Sequence, residues 1–77
     1  DTDTVNLGSH VLVHDVDFDE DVEYTIVGST EADPVKSKIS DESPVGKALL
    51  GASVGDTVTA QLPDGDTADF KILKILR

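Results

Sequence analysis

The stretch ISDESPVGKALLGASVGDTV, from Ile39 to Val58, decides the fold of this chain. Ser43 predicts a helix N-cap, because its hydroxyl can accept a hydrogen bond from a free backbone N–H of the first turn. Pro44 follows at the position where a helix needs no N–H and where a fixed φ is favourable. Gly51 suits a left-handed cap at the other end. The stretch therefore predicts one short helix between Ser43 and Gly51.

This predicted helix needs a packing partner. Its apolar residues are Val45, Ala48, Leu49 and Leu50. A helix of so few turns is unstable alone in water, because nucleation is unfavourable and each added turn contributes little. Gly46 within it should weaken it by up to ~1 kcal/mol. Gly55 and Asp56 predict a turn into a strand over Thr57–Leu62. We therefore expect the helix to pack on a sheet.

Alternating apolar residues predict two strands in the first part of the chain. In His10–His14, Val11 and Val13 share one face. In Val22–Val27 the alternation is strict. The acidic segment between them, residues 16–21, predicts a hairpin connection.

The second half of the sheet is predicted by a turn signal. Asp64-Gly65 predicts a hairpin that joins Thr57–Leu62 to Ala68–Leu76. Residues 29–38 predict a loop, and Lys38–Ser40 a short extended piece.

Alternation in the last strand puts two sets of residues on opposite faces of the sheet. Phe70, Ile72, Lys74 and Leu76 share one face, and Lys71, Leu73 and Ile75 share the other. Both faces are partly apolar, which predicts a central strand. The fold class is α+β and largely antiparallel.

Composition limits the possible functions. The 77 residues predict one domain, with residues 1–6 as a polar lead-in and 7–77 as the folded part. The net charge of −10 opposes direct nucleic-acid binding and favours a basic protein partner. The same acidity is also typical of proteins from a high-salt cytoplasm. There is no cysteine, and no run of about 18 apolar residues that would predict a membrane span.

Other candidate sites fail on spacing. Asp15, Asp17, Asp19 and Asp21 alternate as in a calcium loop, but Glu20 stands where an EF-hand needs glycine, so a solvated hairpin is the better interpretation. His10 and His14 would lie about 13 Å apart along a strand, too far to share a zinc ion. We expect no metal, no cofactor and no catalytic residue.

Three linked blocks of the sequence together resemble the C-terminal domain of the GreA/GreB transcript-cleavage factors. They are YTIVGSTEAD (24–33), the ISxxSPxxKALLGxxxGDxV pattern from Ile39, and Pro63–Asp66 followed by FKILKI (70–75). The resemblance extends from about Leu7 to Ile75. It implies an FKBP-like domain with four to five twisted antiparallel strands around one short helix, acting as a monomer in the cytoplasm.

The resemblance also implies a partner and a binding loop. In the family, the loop before the helix docks on a coiled coil at the rim of the secondary channel of bacterial RNA polymerase. Carried over to this chain, Glu42, Ser43 and Pro44 would be the contact triplet, with Asp41 and Lys47 beside it. Glu42 could offer a carboxylate to a basic side chain, and Pro44 a rigid apolar edge.

The resemblance further implies that this chain binds without catalysing. Transcript cleavage in the family depends on acidic residues at the tip of an N-terminal coiled coil, and no heptad pattern occurs here. Two alternatives stay open. The domain could belong to a Rnk-like or anti-cleavage regulator, or it could be an FKBP-like prolyl isomerase. The latter needs an aromatic pocket, and only Phe18, Tyr24 and Phe70 are available.

Overall fold

Over residues 4–33 and 37–76, which the computed structural model describes, the chain forms five strands and one short α-helix. The elements are β1 (His10–Asp15), β2 (Glu20–Val27), a 3₁₀ turn (Ser29–Glu31), β3 (Lys38–Ser40), α1 (Pro44–Leu49), β4 (Thr57–Gln61) and β5 (Thr67–Leu76). The α+β class is confirmed. Residues 34–36 of the loop predicted over residues 29–38 lie outside the described residues.

The strands form a single curled sheet in the order β3-β2-β1-β5-β4. The pairs β1–β2, β1–β5 and β4–β5 are antiparallel, as predicted. The pair β2–β3 is parallel, with Ile26 opposite Ile39. β3 begins beside Thr25 and runs in the same direction as β2, with Lys38 opposite Thr25 and Ser40 opposite Val27. The sheet is therefore mixed rather than wholly antiparallel.

The helix packs on this sheet, as its length required. Leu49 is fully buried and belongs to a core that also contains residues of β1, β2, β4, β5 and connecting segments. The other core residues are Val5, Val11, Val13, Ile26, Ala52, Ala60, Phe70, Ile72 and Ile75. Val45, Ala48 and Leu50 of the predicted apolar face are partly buried against this core. Removal of this apolar surface from water is what stabilises the short helix.

A β-bulge in β5 changes the predicted pattern of faces. Leu12 lies opposite Lys74 and Val13 opposite Ile72, so Leu73 is an extra residue between them. A bulge of this kind reverses the alternation beyond it. Ile75 is consequently buried, whereas Leu76 is 39% exposed. The predicted faces are wrong beyond Leu73, because periodicity alone does not reveal an inserted residue.

The segment at Val5 is attached to the rest of the domain. Val5 is only 1% exposed and belongs to the core. Its N–H donates to the Ala52 carbonyl, and its own carbonyl accepts from Gly51 N–H, both at 2.9 Å. Val5 thus packs with the folded domain, whereas a polar lead-in was expected over residues 1–6. The described residues contain no helix long and apolar enough to cross a membrane.

Candidate partner-binding site

The entry of α1 is held by a side-chain cap. The Ser43 hydroxyl accepts a hydrogen bond from Gly46 N–H at 3.0 Å and donates one to the Ser40 carbonyl at 2.6 Å. The Ser40 hydroxyl in turn accepts from Glu42 N–H at 3.0 Å. Pro44 occupies the first helical turn, and Gly51 is left-handed (φ 81°) just beyond the helix, both as predicted. These bonds tie the end of β3 to the first turn of α1.

Gly46 has a packing role that the sequence did not predict. It is buried, and a Cβ built on it would overlap the Ser40 carbonyl oxygen and lie 2.9 Å from the Ser43 hydroxyl oxygen. Only glycine allows β3 and α1 to approach this closely without a backbone shift. The prediction that Gly46 simply weakens the helix was incomplete, because its low helix propensity is accompanied by a packing requirement.

An open groove lies between α1 and the edge strand β4. Its volume is about 360 Å³, and its lining residues are Glu42, Pro44, Lys47, Ala48, Thr59 and Gln61. Three of the five residues predicted to bind a partner, Glu42, Pro44 and Lys47, therefore meet around one concave surface. This groove is the candidate site, because three of the predicted binding residues line it.

The other two predicted residues do not line this groove. Ser43 is half-buried, and its hydroxyl already makes the two bonds of the cap. Asp41 is also half-buried, and its N–H donates to the Val27 carbonyl at 3.0 Å, which ties the loop to the end of β2. Both residues therefore make hydrogen bonds within the fold next to the groove-lining Glu42 and Pro44.

Two exposed charges of opposite sign line the groove on the side of α1. Glu42 and Lys47 are both exposed, and neither takes part in an ion pair within the described ranges 4–33 and 37–76. Pro44 and Ala48 supply apolar surface to the lining of the same groove. A partner could pair with both charges while covering this apolar surface.

The sequence did not reveal the contribution of β4. Thr59 and Gln61 line the groove from the edge strand. Their exposed, polar character alternates with the half-buried Val58 and the buried Ala60, which identifies the outward face of a strand. No signal in the sequence places that face beside α1, because the docking of the helix on β4 is a tertiary contact.

The acidic segment after β1 forms a hairpin turn, in agreement with the interpretation from sequence. The Asp15 carboxylate accepts from Asp17 N–H at 3.0 Å and from Phe18 N–H at 3.3 Å. His14 Nδ1 lies 2.8 Å from Asp21 Oδ1, and His14 Nε2 lies 3.1 Å from Asp19 Oδ1. The hydrogen bond to Asp21 is the largest factor that raises the pKa of His14. Within the described residues, no three His, Asp or Glu side chains are grouped so as to hold a metal ion.

The aromatic residues do not contribute to the groove. Tyr24 and Phe70 pack edge to face with ring centroids 6.1 Å apart, and Phe70 is 3% exposed. Burial is the largest factor that raises the pKa of the Tyr24 hydroxyl. Phe18 lies in the β1–β2 turn and is 77% exposed.

Comparison with protein families decides the affiliation of this domain. Residues 1–77 match the family model for the transcription elongation factor GreA/GreB C-terminal domain. The chain belongs to the GreA/GreB family. This GreA/GreB domain is 66% identical over 76 residues to transcription elongation factor GreA of Alkaliphilus oremlandii, an alignment that covers 99% of this chain and 47% of that protein. It is 61% identical over 77 residues to GreA of Clostridioides difficile, covering all of this chain and 48% of that protein.

Solved structures show the same fold. The domain superposes on GreA factor homolog 1 (Gfh1) of Thermus thermophilus with a TM-score of 0.82 at 36% identity, covering 99% of this chain and 50% of that one. It also superposes on GreA/GreB of Nitrosomonas europaea with a TM-score of 0.79 at 28% identity, covering 100% of this chain and 63% of that one. The chain thus spans about half the length of the curated relatives it matches. The chain is more similar in sequence to the GreA proteins, at 66% and 61% identity, than to Gfh1, at 36%. It is therefore a GreA-like C-terminal domain.

Proposed function

We propose that this GreA/GreB domain binds bacterial RNA polymerase and anchors a transcription elongation factor to it. Membership of the family supports a role in transcription, because the curated relatives are named transcription elongation factors. The observation that carries the proposal is the groove itself. Glu42, Pro44 and Lys47, which the family resemblance assigns to polymerase contact, line one preformed concave surface.

The groove offers complementary contacts to a partner helix or coiled coil at the rim of the secondary channel. Glu42 would form a charge-assisted hydrogen bond with an arginine or lysine, and Lys47 would pair with a carboxylate. Pro44 and Ala48 would cover apolar side chains of the partner. The cap formed by Ser43 holds Pro44 and Glu42 in place before binding, which reduces the entropy lost on association.

In this proposal the domain is a binding module, acting as a monomer in the cytoplasm without a cofactor. Transcript cleavage in the family depends on acidic residues at the tip of an N-terminal coiled coil, and residues 1–77 carry no heptad pattern for such a coil. The 77 residues should therefore bind polymerase without accelerating cleavage of backtracked transcripts. Detectable cleavage by the isolated domain in stalled elongation complexes would contradict this part of the proposal.

Fluorescence anisotropy with labelled domain and purified core RNA polymerase tests the binding surface. We expect Glu42→Arg to weaken binding about tenfold, because it places a positive charge where a negative one contacts a basic partner. Pro44→Ala should weaken it less, through lost apolar contact. The matched control is Glu23→Arg, which makes the same charge change at an exposed position on β2 away from the groove.

Three results of this experiment have distinct meanings. Weaker binding by Glu42→Arg with little effect of Glu23→Arg, at unchanged melting temperatures, supports the groove as the interface. Equal losses in both variants would indicate a general charge effect and would contradict a specific groove contact. No binding of the unmodified domain at low salt would contradict the proposed function as a whole.

A further inference from the structure

The turn between β1 and β2, residues 16–19 and hereafter the hairpin tip, projects apolar side chains into solvent. Phe18 is 77% exposed and Val16 is 49% exposed. Aromatic rings supply much of the binding energy at protein interfaces, where they fill pockets on the partner. Single exposed apolar residues are common on surfaces, so Phe18 gains meaning only from its setting.

That setting is a turn held in one conformation. The Asp15 carboxylate accepts hydrogen bonds from the N–H groups of Asp17 and Phe18. The Asp17 carboxylate accepts from Asp69 N–H of β5 at 3.3 Å. His14 bridges from β1 to Asp19, at the far side of the tip. Because the backbone around Phe18 is already ordered, binding through its ring would lose little conformational entropy.

The hairpin tip is joined to the groove through a single residue of β5. Val16 N–H donates to the Asp69 carbonyl at 3.1 Å. The Thr59 hydroxyl donates to the Asp69 carboxylate at 2.7 Å, and Thr59 lines the groove. Val16, just after β1, thus lies beside Asp69 of β5, which lies beside Thr59 of β4. Two strand spacings, or about 10 Å, separate the backbone of Val16 from that of Thr59, a separation that a single partner can span.

The charges around Phe18 select the kind of partner. Asp17, Asp19 and Glu20 flank the ring in sequence, and all three are exposed. Over residues 4–33 and 37–76, neither Asp17 nor Glu20 takes part in an ion pair, and Asp19 pairs only with His14. An apolar ring bordered by carboxylates is complementary to an apolar pocket bordered by lysine or arginine.

From these observations we propose that the hairpin tip is a second contact for the partner that occupies the groove. Phe18 enters an apolar pocket on the polymerase whose rim is basic, while Glu42 and Pro44 contact the same protein through the groove. This inference rests on the proposed function, because it names a further surface for the same partner.

Binding of core RNA polymerase by a Phe18→Ala domain tests the proposal. The expected result is about tenfold weaker binding, typical of a truncated interface aromatic. Because Phe18 is mostly exposed, the melting temperature of the Phe18→Ala variant should stay close to that of the unmodified domain. Leu7→Ala is the matched control, since Leu7 is 57% exposed in a turn before β1, at the opposite end of that strand from the tip. It should leave binding unchanged.

A salt titration with Glu20→Gln tests the predicted basic rim. The variant should bind several-fold more weakly at low ionic strength, and the difference should disappear at high salt, where exposed charges are screened. A difference that persists at high salt, or no difference at low salt, would contradict the basic rim.

A photo-reactive benzophenone side chain in place of Phe18 identifies what covers the tip. Crosslinks to a polymerase subunit support the proposal. Crosslinks between two copies of the domain, or none in a sample that binds polymerase, overturn it.

The two proposals fail separately. If Glu42→Arg weakens binding and Phe18→Ala does not, the groove stands and the second contact is wrong. If Phe18→Ala weakens binding and Glu42→Arg does not, the tip stands and the groove contact is wrong.

Discussion

The Ser43 hydroxyl donates a hydrogen bond to the Ser40 carbonyl oxygen, at 2.6 Å, across the junction between β3 and α1. The same hydroxyl accepts from Gly46 N–H. One side chain therefore links the end of a strand to the first turn of the helix. This link determines where Glu42 and Pro44 stand in the groove, so the stability of the cap and the shape of the binding surface are coupled.

Replacing Ser43 by alanine should destabilise the domain. The variant loses the cap of the Gly46 N–H and leaves the half-buried Ser40 carbonyl without its hydroxyl donor. We expect the free energy of unfolding to fall by about 1–2 kcal/mol, measured by urea denaturation. Ser29→Ala is the control, because Ser29 is exposed and makes no capping bond in its 3₁₀ turn. Similar values for the two variants would show that the cap contributes little.

A methyl group at position 46 should be poorly tolerated. In Gly46→Ala the new Cβ overlaps the Ser40 carbonyl, and the backbone must shift to relieve the contact. We expect a loss of about 1–3 kcal/mol in unfolding free energy. Gly28→Ala is a suitable comparison, since Gly28 has φ −64° and no atom within 4 Å of its Cβ position. That control should be neutral or slightly stabilising, and a neutral Gly46→Ala would contradict the close approach.

The β-bulge at Leu73 predicts unequal costs for two neighbouring apolar residues. Ile75 is 7% exposed and lies in the core, whereas Leu73 is 36% exposed. Ile75→Ala should lower the unfolding free energy by about 2–4 kcal/mol, and Leu73→Ala by less than about 1 kcal/mol. Thermal or urea unfolding of both variants measures the difference. Strict alternation predicts the same face for both residues, so equal losses would argue against the bulge.

Loss of a hydrogen-bond partner should shift the titration of His14. Asp21→Asn removes the largest cause of the raised pKa, so the pKa of His14 should move down towards its ordinary value, as measured by NMR titration of the imidazole. Asp66→Asn, an equal change of charge in the β4–β5 turn, should leave it nearly unchanged. A downward shift of the same size in both variants would indicate a long-range charge effect.

The sign of the corresponding stability effect follows from linkage. A histidine whose pKa is raised on folding binds its proton more tightly in the folded state. Its ion pairs therefore contribute fully below the ordinary histidine pKa, and the contribution disappears as pH rises through the raised value. As pH rises from the ordinary to the raised pKa of His14, the unmodified domain should lose the stability advantage that it has over the Asp21→Asn variant. The loss should be small, because the pair of His14 and Asp21 is exposed.

Most elements of the fold were predictable from local patterns. The helix boundaries followed from Ser43, Pro44 and Gly51, whose preferences depend only on local backbone geometry. Alternation located β1 and β2, and Asp64-Gly65 located the last hairpin. These signals are readable because each involves residues near one another in the chain.

The candidate site was predictable only in part. The family resemblance pointed to the loop before α1, and the structure places Glu42, Pro44 and Lys47 around a groove. Thr59 and Gln61 were missed, because their part in the groove depends on how α1 docks beside β4. The burial of Val5, the parallel pairing of β3 and the bulge at Leu73 were missed for the same reason. Each depends on contacts between segments far apart in sequence.

The sequence by itself determined the α+β class, the capped helix and the affiliation with the GreA/GreB family. Those properties depend on propensities and motifs that act over a few residues. The tertiary structure alone decided the groove and the alignment of the hairpin tip with it through Asp69. It also decided that Gly46 must be glycine. The physical reason is that close packing between distant segments sets which side chains share a surface, and local preferences do not encode those distances.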